Sequence, residues 1–102
     1  MSYGKLVRDE IIALIRANGE NPIYHILSDE EYLKELHKKL FEEANEFVEE
    51  DSPEELADLL EVVYAIANHK NINMEEVEKI RLKKREERGG FDKKIYLEGV
   101  EE

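Results

Sequence analysis

Apolar residues recur at helical spacing from Leu33 to Phe47 and again from Leu56 to Ala67, with a short loop, Glu49 to Ser52, separating the two segments. The centre of the chain is thereby committed to two adjacent α-helices. Each helix also carries two acids three residues apart, Glu43 with Glu46 on the first and Glu55 with Asp58 on the second. Side chains at that spacing leave neighbouring parts of one helix face. On the first helix the stripe is Leu33, Leu36, Leu40, Ala44 and Phe47, and Glu43 lies about 60° from Leu40, on its border, with Glu46 a step further round. On the second helix Glu55 falls among Leu59, Val62 and Ile66, with Asp58 beside it. Both pairs are expected on the interior side.

A carboxylate on an apolar border costs several kcal/mol unless its charge is compensated, so four together call for a cation. All the donors are oxygens, and neither cluster contains the His of a Glu-x-x-His di-iron pattern, which selects a hard divalent ion, Mg²⁺ with Mn²⁺ as a substitute. A simpler reading stands beside this one. With 26 Asp and Glu among 102 residues, acidic clusters are also what solvated faces look like. Ser52-Pro53-Glu54-Glu55 has the form of a capping box in which Glu55 reaches back to its own helix start.

The formal net charge of −11 argues against a nucleic-acid polymer as partner, because such binding relies on clustered Lys and Arg displacing counterions. It leaves room for a small polyphosphate, since a metal bridges phosphate oxygens to carboxylates. A chain of 102 residues without Cys is expected to form one domain, spanning 1–102, and to extend its small core by association as a homodimer or homotetramer. No disulfide is available. Apolar runs broken by charge indicate neither a membrane span nor a signal peptide, and the expectation is a cytoplasmic protein.

The remaining segments follow from local signals. Ile11, Ile12, Leu14 and Ile15 form a short amphipathic helix ended by Asn18-Gly19, and Asn21-Pro22 marks a turn. Ser28 and Glu31 make a capping box for a helix running to about Val48. Ser52-Pro53 starts the next, whose broad apolar surface predicts a central place in a bundle, and Asn68 to Ile72 reads as a turn. Asn73 caps a basic helix that stops at Gly89-Gly90. Residues 23–27 and 91–97 are β-prone and predict a small two-stranded pairing, while 98–102 are expected to fray.

On the basic helix, Lys84 and Arg88 share a face suited to phosphate oxygens if it lines the carboxylate cleft, although positive charge at a helix C-terminus also complements the helix dipole. Lys5 and Arg8 of the opening segment are added as candidate phosphate contacts. His69 is eleven residues beyond Asp58, about 16 Å along a helix, too far to share its metal. His25 and His37 show no partner pattern. Tyr64 and Tyr96 stack a base or pack, and packing is the commoner outcome.

Glu42-Glu43-x-x-Glu46 followed by Glu55-x-x-Asp58, together with the Lys84 to Arg88 spacing, resembles the MazG-like all-α nucleotide pyrophosphohydrolases, the superfamily that includes phosphoribosyl-ATP pyrophosphohydrolase. Lys5-Leu6-Val7-Arg8-Asp9 and Arg88-Gly89-Gly90-Phe91 are similar to a phosphoribosyl-ATP pyrophosphohydrolase-like subgroup, so the resemblance covers nearly the whole chain. It implies a helical bundle completed by a second subunit, with Mg²⁺ on Glu43, Glu46, Glu55 and Asp58. Glu42 and Glu43 would be the catalytic carboxylates. The implied reaction is hydrolysis between the α and β phosphates of a nucleoside triphosphate, releasing monophosphate and pyrophosphate, in a house-cleaning role. Two alternatives stay open: the histidine-pathway enzyme acting on phosphoribosyl-ATP, and a helical interaction module without turnover.

Overall fold

The computed structural model describes residues 4 to 102 and is all-helical, with no strand among the described residues. The helices are α1 (Ile11–Ala17), α2 (Asp29–Glu50), α3 (Pro53–His69) and α4 (Met74–Arg88). The chain divides into two compact units, Met1–Asn71 and Ile72–Glu102.

In the first unit, local chemistry fixes the helix ends. Ser28 Oγ accepts from the Glu31 N–H at 3.2 Å, and the Glu31 carboxylate accepts from the Ser28 N–H at 3.3 Å. Two otherwise unpaired backbone groups are satisfied at once. The Ser28 hydroxyl, donating to the Glu31 carboxylate at 2.9 Å, and then the Ser28 N–H hold the Glu31 carboxyl below its ordinary range. Helix α2 continues two residues past Val48, to Glu50, because nothing before Asp51 opposes helical backbone. Asp51 ends it in the left-handed region at φ 52°, donating its N–H to the Phe47 carbonyl. Ser52 is extended, as a residue before proline tends to be, and Pro53 opens α3 at a position needing no N–H. At its far end α3 reaches His69, beyond the turn expected from Asn68 onward, and left-handed Asn71 follows.

Helices α2 and α3 pack against one another and hold the whole buried core among the described residues: Leu36, Val62, Ala67 and one charged residue, Glu43. At the end of the pair, the rings of Tyr32 and His69 meet edge to face, 5.1 Å between centroids, so His69 has a packing partner. The breadth of apolar surface on α3 is not matched by cover within this unit. Leu56, Leu60 and Tyr64, spaced four apart, remain roughly half exposed, as does Phe41 on α2 to a greater degree.

In the second unit, Asn73 Oδ1 accepts from the N–H groups of Glu75 and Glu76 at 2.8 and 3.4 Å. Helix α4 ends at Gly89, whose φ of 83° suits a residue without Cβ. No residue of α4 is buried. Residues 94 to 102 form no regular element and are exposed.

The two-stranded element expected from residues 23–27 and 91–97 does not form. An isolated pair of short strands is marginal in water because it has no sheet face to bury. The residues that made these segments β-prone, Ile23, Ile26, Phe91, Ile95, Tyr96 and Leu97, are instead exposed. Tyr24 lies beneath the Arg16 guanidinium, 5.9 Å from its ring centroid. Tyr64 and Tyr96, expected to pack, are also exposed in the single chain.

Candidate metal centre

Helix packing brings Glu43 of α2 against Glu55 and Asp58 of α3, with one carboxylate oxygen from each lying within 4.8 Å of the others. Glu43 is 8% exposed, the one charged residue in the core. Its Oε2 and the Oε2 of Glu55 are buried without a hydrogen-bond partner among the described residues. Unpaired buried carboxylate oxygens are among the most costly polar groups a fold can contain.

The alternative in which Glu55 only caps its own helix does not hold. Ser52 Oγ caps the helix by accepting the Glu55 N–H at 3.2 Å. The Glu55 carboxylate does not return to Ser52; it turns toward Glu43 and Asp58. The solvated-face alternative fails for Glu43 on burial alone.

The electrostatics register the crowding. Burial first, and then the charge of Glu46, push the Glu43 carboxyl above its ordinary range, against a smaller opposing effect of Lys39. Glu55 is pushed up to about 7, by loss of hydration and then by Glu46, with smaller repulsions from Glu50 and Asp58. Glu46 is itself exposed, yet its negative charge stands close enough to disfavour ionisation of both. Three of the four expected ligands thus gather, and the fourth stands at their edge. An all-carboxylate set with two unpaired inward oxygens fits a hard divalent cation.

Glu42 is not part of the group. It is exposed, and its carboxylate faces Lys39 at 3.9 Å. Lys39, absent from the expected site, also lies 3.6 Å from Glu43 Oε1. Its place four residues before Glu43 was the available signal. Arg8, expected to contact phosphate, donates from Nη2 to Asp58 Oδ1 at 2.8 Å. Lys5 is exposed, with no ion pair among the described residues.

The second unit holds the other basic candidates. Arg81 pairs with Glu78, Lys83 with Glu87 and Arg85 with Asp92. Lys84 and Arg88 form no ion pair among the described residues. With Arg81 and Arg85 they line a shallow cavity closed by Gly89, Gly90 and Phe91. A Cβ at position 90 would meet the Arg85 guanidinium, the far end of an exposed side chain that can shift to make room.

No protein-family model matches the chain, and no solved structure matches it. It is similar to an uncharacterised protein of Mycolicibacterium smegmatis, 52% identical over 42 residues. That match covers 41% of this chain and 43% of the relative, less than two thirds of either.

Proposed function

We propose that this chain is a Mg²⁺-dependent nucleotide pyrophosphohydrolase of the MazG-like kind, acting between the α and β phosphates of a nucleoside triphosphate. The reading is carried by one observation: the inward oxygens of Glu43 and Glu55, buried and unpartnered, converge with Asp58. A fold that needed only structural carboxylates would leave them hydrated or paired.

In this reading Glu43, Glu55 and Asp58 hold the ion, and Glu46 joins from the edge. Mn²⁺ substitutes for Mg²⁺, both being hard ions served by oxygen donors. The bound ion would offset phosphate charge and acidify water at the site. The chain's own residues supply the rest. A carboxylate of the cluster takes a proton from water as the water oxygen bonds to the α phosphorus, the bond from that phosphorus to the α–β bridging oxygen breaks, and pyrophosphate leaves. Within the unit that holds the carboxylates, Lys5 is a candidate for phosphate oxygens; Lys84 and Arg88, on the second unit, offer cations unpaired among the described residues and suited to the same kind of group. A second copy of the chain covers the exposed apolar residues of α3, making the working form a homodimer or a pair of dimers.

The test is a panel of nucleoside triphosphates and phosphoribosyl-ATP, incubated with Mg²⁺ and scored for pyrophosphate and monophosphate. Asp58→Asn should lower turnover by orders of magnitude with the fold retained. Glu61→Gln, at an exposed position outside the cluster, should stay active. Turnover of phosphoribosyl-ATP alone would move the assignment to the histidine-pathway reaction. Absence of turnover on every substrate would favour the interaction module, and wild-type turnover by Asp58→Asn would overturn the metal assignment.

A further inference from the structure

The ion pair between Arg8 and Asp58 spans 50 positions in sequence, yet its side chains are 58% and 42% exposed. At that exposure an ion pair contributes little to stability, so holding the fold together does not account for it. Its location is more informative. Arg8 takes Oδ1 of an acid whose neighbours Glu43 and Glu55 each present a buried, unpartnered oxygen. Lys39 treats Glu43 in the same way, standing 3.6 Å from Oε1 while Oε2 stays free. Both cations sit on the rim of the cluster and engage one oxygen of a carboxylate.

We propose that Arg8 is a positioning residue of the metal centre: by fixing Oδ1 of Asp58 it sets the rotamer that presents this carboxylate to a divalent cation alongside Glu43 and Glu55. The inference rests on the metal-centre reading above and gives Arg8 a task other than contacting phosphate. A carboxylate ligand swings about two side-chain torsions, and partial exposure leaves Asp58 free to do so. A planar guanidinium bonded to one oxygen removes that freedom. Metal binding then begins from an arranged site and does not have to order the ligand.

The alternative, in which Arg8 acts only through its charge, predicts the opposite sign. A guanidinium near a cation site repels the cation, so removing it would tighten binding. The experiment measures binding of Mn²⁺ alone to the full chain from the loss of the free-ion electron paramagnetic resonance signal. The proteins compared are wild type, Arg8→Met, Arg8→Lys, Asp58→Asn and the Arg8→Met/Asp58→Asn double variant, with chelator melts to establish folding. Arg8→Met should weaken Mn²⁺ by about tenfold or more, the loss typical when the outer partner of a metal ligand is removed. Arg8→Lys should recover part of the loss, and in the Asp58→Asn background Arg8→Met should change nothing further. Equal or tighter binding by Arg8→Met, or an undiminished loss in the Asp58→Asn background, overturns the positioning role while the metal centre stands. Unfolding of Arg8→Met overturns it as well, making the pair structural. No binding by the wild type overturns the metal centre itself, and this inference with it.

Discussion

Glu55 is a group whose ionisation opposes the fold that contains it. Its carboxyl titrates at about 7 in the folded chain against an ordinary 4.5, so between those values the folded state binds the proton more tightly than the unfolded state does. Metal-free stability associated with Glu55 is therefore complete below about pH 4.5 and is lost as pH rises through about 7. Glu43 shifts in the same direction, by burial first. Glu55→Gln, which mimics the protonated form, should melt with the wild type at low pH and above it at pH 8, both measured in chelator. Equal melting temperatures across that range would mean that the cluster is not strained. Millimolar Mg²⁺ should raise the wild-type melting temperature at pH 8 by ligand linkage, and it should do so much less for Glu55→Gln. A wild-type melt indifferent to Mg²⁺ and to chelator would remove the main support for a metal.

At the scale of elements, the site depends on where two helices begin and end. Ser52 holds the first turn of α3 by accepting the Glu55 N–H, so the cap and the ligand are adjacent parts of one turn. Ser52→Ala should cost about 1 kcal/mol in denaturant unfolding, and Ser52→Asp, which keeps the acceptor, should recover most of it. A loss confined to metal binding, with no change in stability, would show that the hydroxyl serves the site and not the helix. Such caps were legible in the sequence because each is a local pattern: Ser28 with Glu31, Ser52 before Pro53, and Asn73 before Met74. The C-terminus of α2 was less legible, since nothing in Glu49-Glu50-Asp51 names the residue that adopts the left-handed turn. The β-prone segments misled for a related reason. Ile23 and Ile95 have the side chains of strand residues, but a strand also needs a partner face that a local pattern cannot promise.

For the whole molecule, the small core is the main constraint. Among the described residues three apolar side chains are buried, while Leu56, Leu60 and Tyr64 remain near half exposure in a line along α3. No helix among the described residues is long and apolar enough to cross a membrane, and the proposed cover is a second copy of the chain. Sedimentation at micromolar concentration should therefore give a dimer or tetramer, and Leu60→Lys should shift it toward monomer and lower the melting temperature by several degrees. On a monomeric chain the same substitution at a half-exposed position would be nearly neutral, within about 0.5 kcal/mol. A wild-type monomer would overturn the association.

The sequence by itself determined the four helices, most of their ends, and the faces on which the acids stand. Helical period and capping are short-range physics, written within a few residues of where they act. It also placed Glu43, Glu46, Glu55 and Asp58 on surfaces turned inward, because three-residue spacing beside an apolar stripe sets their direction, and for Glu46, which is exposed, that expectation fails. Only the tertiary structure, through the packing of α3 on α2, decided that Glu43 is buried while Glu46 is exposed. It alone turned the Glu55 carboxylate from its own cap to the opposing helix. It alone paired Arg8 with Asp58, since a contact across 50 residues depends on the path of the chain and leaves no periodic trace in the residues that make it.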